Sequence, residues 1–276
     1  MLRDLLVHVD GDEAGRQRVA FTVELALRTG ARLTGLHVRP PPEISPRYKP
    51  SQVDAAVAQH AAKLAADAHA AREFFESEAG RRLSDARWID AQGDIVDGVS
   101  TRARFADLVV LGQSEWQHPP EKHPLPIAHS IVLRCGRPVL VVPAGVMTPS
   151  LAKVAVAWDG SREAVRAVHD ALPILELAQV VHLVAMVAPS GVGDEDAVDV
   201  GSLLTHLANH GISVEPKVET VASAREQRAL QRKIRDGAYD LLVMGAYSHP
   251  MWLEFIFGGA TRSQLMTSEI PIFVSH

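Results

Sequence analysis

Two strand endings in this chain are each written twice. Leu5-Leu6-Val7-His8-Val9-Asp10-Gly11 returns as Val154-Ala155-Val156-Ala157-Trp158-Asp159-Gly160, and Ala106-Asp107-Leu108-Val109-Val110-Leu111-Gly112 returns as Tyr239-Asp240-Leu241-Leu242-Val243-Met244-Gly245. A self-similar chain has to build one unit twice, which removes most of the folds open to 276 residues. It also makes each copy a control for the other, because a residue kept in one copy only is not demanded by the shared fold.

The copies align well enough to be used that way. Asp10 falls on Asp159 at an offset of 149, and the same offset carries Val38 onto Val187, so the first third repeats without gaps. Gly112 falls on Gly245 at an offset of 133, which also carries Pro138 onto Pro271; the second copy is therefore shorter by 149 − 133 = 16 residues. The division expected is 1–147 for the first unit and 151–276 for the second, with Gly145, Pro149 and Ser150 interrupting both patterns between them.

Within each copy, short apolar runs alternate with longer amphipathic stretches. Leu5 to Val9 reads as a strand and Arg16 to Thr29 as a helix with Val19, Val23 and Ala26 on one face. Gly30 is placed to stop that helix, and Leu33 to Val38 follows within a few residues as a second strand. A strand, a helix and a strand at this spacing imply a parallel pair with a crossover. Beyond the proline loop Pro40 to Pro50, the alanine-rich stretch Ser51 to Gly80 predicts a long helix, with Ser51 as its N-cap. Its counterpart, about Glu195 to Asn209, is much shorter, and most of the length difference falls there. Each half adds three more strands, around Ala86 to Ile89, Leu108 to Gly112 and Val139 to Val142 in the first copy and their matches in the second. The fold class expected is α/β: two tandem open, parallel, five-stranded sheets with helices on both faces, Rossmann-like in layout.

Composition removes some functions. A formal charge of −5 gives no basic face for displacing counterions from nucleic acid. No apolar run approaches the roughly 20 residues that span a membrane. Cys135, the one cysteine, cannot form an intrachain disulfide and reads as a buried helix-end thiol. No charged-then-apolar leader opens the chain, and a soluble cytoplasmic protein is expected.

In open parallel sheets, ligands bind beyond the carboxyl ends of the strands, where strand order reverses. Asp10 and Asp159 both stand there; each can receive a ribose hydroxyl, or simply cap the next helix. After the fourth strand of the second copy come Gly245 to Ser248 and then Gly258, Gly259 and Thr261 across a gap of nine residues. Glycines that open a helix leave backbone N–H groups accessible to phosphate.

On these residues the chain resembles the universal stress protein family in its tandem form. The matching features are Val156 to Ser161, the strand ending in Gly245, the spacing from Gly245 to Gly258, and the apolar strand after Pro271. In nucleotide-binding members a Gly, two residues, Gly, nine residues, Gly, Ser/Thr pattern wraps the phosphates. A first-strand Asp there contacts ribose, and backbone at the second strand end holds adenine. Carried over, the resemblance assigns nucleotide contacts to Asp159, Gly160, Ser161, Val187, Gly245, Ser248, Gly258, Gly259 and Thr261. Ser248 stands where the pattern has its second glycine, and Gly259 where it has Ser or Thr; Ser161 and Thr261 offer hydroxyls nearby. The cofactor implied is ATP or another adenine nucleotide, with Mg2+ as its companion. The resemblance also implies that the last strands or their neighbours pair the two halves as an internal pseudo-dimer. Pairing of two whole chains, and an unidentified regulatory protein partner, belong to the same expectation.

The first copy departs from that pattern. Its matching positions hold Glu115, Leu125, Pro126 and Ala128, so a carboxylate and a residue without N–H stand where phosphate would sit. The expectation is a stress-response regulator with one nucleotide site, in the second half. A structural protein that has lost the site in both halves is the alternative. A slow ATPase comes third, with Asp159 and His249 as the only base candidates and no triad in sight. Thirteen histidines raise the question of a metal. His206 and His210 lie one helical turn apart, but without an evident third ligand they read as exposed helix residues, and no metal site is expected. His169 and Asp170 read as ordinary polar positions on the helix after Asp159.

Overall fold

The computed structural model describes residues 1–41, 50–113, 126–187, 199–220, 236–246 and 265–276. The first half runs β1 (Asp4–His8), α1 (Glu13–Thr29), β2 (Arg32–Arg39), α2 (Pro50–Ala79), β3 (Ala86–Gln92), α3 (Ile95–Ala103), β4 (Leu108–Gly112), α4 (Ile127–Cys135) and β5 (Val139–Val142). The second runs β6 (Lys153–Trp158), α5 (Arg162–Leu175), β7 (Val180–Val187), α6 (Val200–Asn209), β8 (Val214–Thr220), β9 (Leu241–Gly245) and β10 (Ile272–Ser275). The helices expected on either side of β9 fall mostly outside the described residues.

Local chemistry explains several of these boundaries. Asp12 caps α1 by accepting from the Gly15 N–H, and Gly30 closes it in the left-handed region at φ 68°. The long alanine-rich helix forms as the composition predicts, though it begins at Pro50, a residue before the expected Ser51 cap. Proline suits a first helical turn, where its missing N–H would have had no partner. The repeated Asp-Leu sequence serves the fold. Asp107 accepts from the N–H groups of Arg3 and Asp4 at 2.7 and 3.0 Å, and Asp240 accepts from that of Lys153 at 2.8 Å, so each tethers the start of the neighbouring first strand.

The strands form one ten-stranded sheet in the order β3-β2-β1-β4-β5-β10-β9-β6-β7-β8. All pairs within a half are parallel, as the strand–helix–strand spacing implies. The two five-stranded sheets are fused through β5 and β10, which are antiparallel with Phe273 opposite Leu140. One core layer runs along a face of the whole sheet, joining Val19, Phe75, Val168, Leu207 and Phe273; the other face packs Val99, Ile131, Leu242 and Ile272. Burial on both faces is why the inner strands are apolar without alternation. The antiparallel joint also sends the carboxyl ends of β1 and β4 to the opposite edge from those of β6 and β9.

Candidate functional site

Strand order reverses between β1 and β4 in one half and between β6 and β9 in the other, and in open parallel sheets such a reversal is where a ligand crevice lies. Asp10 and Gly112 flank the first; Asp159 and Gly245 flank the second. The two are differently furnished.

In the first crevice Asp10 does not cap α1, a role that belongs to Asp12. Its carboxylate instead accepts from the Arg18 guanidinium at 2.5 Å, while Arg18 Nε donates to the His8 carbonyl at 2.8 Å. His8 Nδ1 is 3.3 Å from the other Asp10 oxygen, and His37 Nδ1 lies 2.7 Å from the Val9 carbonyl. Arg18 is only 3% exposed, and a side chain added at Gly112 would collide with its guanidinium. The long cation therefore fills the space between the two strand ends. Pro126 occupies the N-cap position of α4 at φ −52° with no side-chain cap, and Ala128 is buried in the same helix. Glu115 and Leu125 lie outside the described residues.

At the second crevice the offset of 149 puts Ala167 where the first has Arg18, Ala157 for His8 and Met186 for His37. Ser161, the counterpart of Asp12, caps α5 by accepting from the Ala164 N–H at 3.2 Å. Asp159 is again not the cap: it accepts from the Ser161 N–H at 3.0 Å and hydroxyl at 2.5 Å, and so orients the capping residue. Gly160 makes the turn between them at φ 75°, a conformation that favours glycine. Gly245 ends β9 so close to α5 that an added side chain would lie 2.5 Å from the Ala164 nitrogen. Val187 closes β7 and pairs with Thr220 of β8. Asp159, Gly160, Ser161 and Gly245 thus meet at one strand-end crevice, with the α5 N–H groups and helix dipole beside them. Ser248, Gly258, Gly259, Thr261 and His249 lie outside the described residues.

Two features escaped the motif reading. Arg18 sits in the middle of a helix, and only its replacement by Ala167 across the repeat marks it. Trp158, next to Asp159, is 7% exposed and its indole Nε1–H is buried with no hydrogen-bond partner. An orphaned buried donor is uncommon in a folded protein and costs about 1–3 kcal/mol.

The charges of the first crevice make a pH prediction. Burial pushes the His8 imidazole below its ordinary 6.5, with Asp10 opposing and Arg18 reinforcing the shift. Partial burial would raise the Asp10 carboxyl, but His8 and Arg18 outweigh it and hold it at about 2 against an ordinary 3.8. The His8 contribution to stability is complete above pH 6.5 and is lost as pH falls below it. That of Asp10 is complete above 3.8 and is lost on the way down to about 2. The Asp10 side chain is 43% exposed, so water screens part of the pair. In Arg18→Ala the Asp10 carboxyl is expected to titrate well above its wild-type value, as followed by NMR; an unmoved midpoint would show that Arg18 does not hold it down.

Among the described residues, no helix is long and apolar enough to cross a membrane. The sequence matches the model of the universal stress protein family over residues 1–143. A search of curated proteins finds no match. Among solved structures, a universal stress protein from Archaeoglobus fulgidus DSM 4304 aligns with a TM-score of 0.74 at 18% identity, covering 99% of this chain and 95% of the other. A candidate universal stress protein from Pseudomonas aeruginosa UCBPP-PA14 aligns with a TM-score of 0.57 at 16% identity, covering 99% and 93%. At such identities the likeness is one of fold.

Proposed function

From the premise that the chain belongs to the universal stress protein family, we propose that it is a regulatory protein whose second half binds an adenine nucleotide, ATP or a close relative, between β6 and β9. What carries this reading is the contrast between the crevices. Arg18 fills the first and occupies its aspartate, whereas Ala167 leaves the second without a side chain of that length, beside an oriented Asp159 and a helix N-terminus. In this reading Asp159 takes a ribose hydroxyl, the backbone at Val187 faces the base, and Gly245, Ser248, Gly258, Gly259, Ser161 and Thr261 line the phosphates. The residues fit such a group in kind: backbone N–H donors for anionic oxygens, a carboxylate for hydroxyls, and small side chains where the ligand comes close. Mg2+ would arrive with the nucleotide and lower the charge of its phosphates. Binding, not turnover, is the function, and its output is a change in the surface offered to a protein partner in the cytoplasm.

Equilibrium titration with a fluorescent ATP analogue tests the assignment. Asp159→Ala and Gly258→Asp are each expected to weaken binding at least tenfold, and Arg134→Ala, on the exposed side of α4, to leave it unchanged. Equal affinity in wild type, Asp159→Ala and Gly258→Asp would remove the site from this crevice. No binding to wild type would favour a ligand-free interaction protein, the reading that Ser248 in place of glycine supports.

A further inference from the structure

A cluster of three imidazoles lies outside both crevices. His206 lies in the last turn of α6 and His210 is its C-cap residue, four residues on, with ring centres separated by 4.8 Å. From the neighbouring helix α5, His169 brings a third ring to 5.3 Å from that of His206 and 6.4 Å from that of His210. The packing of α5 beside α6 thus adds the ligand that linear spacing lacks. Ala20 stands at the matching position of the first half, so the fold does not require a histidine there.

The burial and partners of these rings point the same way. His206 is half-buried, and its Nε2 is buried without a hydrogen-bond partner. A buried imidazole nitrogen with no partner carries a desolvation cost, which a metal ion would reverse by accepting its lone pair. His169 and His210 are exposed and can turn about their side-chain bonds. With zinc–nitrogen bonds of about 2.0–2.1 Å, imidazoles on a tetrahedral ion have ring centres roughly 5 Å apart. Two of the three observed separations are close to that value and the third is longer. As placed, no three His, Cys, Asp or Glu donors among the described residues are already gathered as a metal site. The rings are neighbours, and rotation of the two exposed ones has to bring their nitrogens together.

We infer that His169, His206 and His210 form a binding site for a divalent transition-metal ion of the zinc type, held between α5 and α6. Neutral imidazole is the commonest protein ligand for such ions, and two histidines one turn apart on a helix already share a face. Three protein nitrogens leave the fourth position of a tetrahedral ion to water or an added ligand. On α5, His169 is eight residues from Ser161, about 12 Å along the axis, so the ion is separate from the nucleotide crevice and would act on it through α5. Binding would cross-link the two helices and stabilise the folded form.

The test uses the full chain, freed of metal with a chelator, without nucleotide, and titrated with Zn2+ by calorimetry and with Co2+ by visible absorption. One ion per chain is expected, with the intense visible bands of four-coordinate Co2+ and a rise in Tm. His169→Gln and His210→Ala change exposed side chains, and His206→Ala the half-buried one; each should weaken Zn2+ at least tenfold, with circular dichroism and melting confirming a folded chain. Absence of stoichiometric binding would overturn the site. Full affinity in His169→Gln would also overturn it, by reducing it to a two-histidine chelate on α6. If His206→Ala fails to fold, the two exposed variants decide. ATP binding is measured separately, so failure of either site is read without the other.

Discussion

Truncation of Phe273 to alanine is expected to lower the stability of the whole protein by about 3–5 kcal/mol. Phe273 is fully buried in β10, opposite Leu140 of β5 on one side and Val243 of β9 on the other. Its ring belongs to the core layer that runs along one face from the first half into the second. Removing it takes away transfer free energy and leaves a cavity where two strands of opposite direction meet, a place where neither half can collapse without shifting the other. Because the layer is continuous, the loss should fall on both halves together. Urea unfolding followed by tryptophan fluorescence and by circular dichroism is expected to give one transition at a lower midpoint. A loss under about 1 kcal/mol, or two separate transitions in wild type, would show that the β5–β10 joint does not bind the halves into one cooperative unit.

Gly245→Ala is expected to cost about 3 kcal/mol, the upper end for overpacking, and Gly112→Ala, at the matching place in the first half, only about 1 kcal/mol. At Gly245 the new methyl group meets backbone: the Ala164 nitrogen at 2.5 Å and the Glu163 carbonyl carbon at 2.6 Å. Backbone at the start of a helix cannot swing away, so α5 has to move, taking Ser161 and its hydrogen bond to Asp159 with it. Under the proposed nucleotide site, affinity for the nucleotide should fall in the same variant. At Gly112 the methyl meets the guanidinium of Arg18, the tip of a long side chain that can turn at the expense of its bonds to Asp10 and the His8 carbonyl. The Asp10 carboxyl should then titrate higher, as in Arg18→Ala. Denaturant midpoints for both variants decide the matter, and equal losses would contradict the difference in what the two glycines touch.

Much of the fold was legible because its signals are local. The apolar runs that became β1, β2, β6 and β7 are contiguous in the chain, and Gly30 and the alanine-rich run from Ser51 carry their helix boundaries in their own chemistry. The roles of the strand-end aspartates were harder. Both Asp10 and Asp159 stand where a cap would stand, yet Asp12 and Ser161 do the capping. What decides is the backbone turn after each aspartate, and for Asp10 a guanidinium arriving from the second turn of α1. Comparing the copies could have exposed Arg18 against Ala167, but nothing in either residue alone says that a long cation reaches the strand end.

The chain's own sequence therefore determined that one α/β unit is built twice, where its strands end, and which copy retains glycines at the phosphate-loop positions of the family pattern. Those properties follow from hydrophobic period, caps and backbone permissiveness, which act between near neighbours. Tertiary structure alone decided that the last strands, whose pairing the family resemblance implied, meet antiparallel and make a single ten-stranded sheet, that Arg18 closes the first crevice while Ala167 leaves the second without such a closure, and that His169 meets His206 and His210. Each of these is a contact between elements far apart in the chain, set by which faces must be buried together, and no local pattern encodes such a meeting.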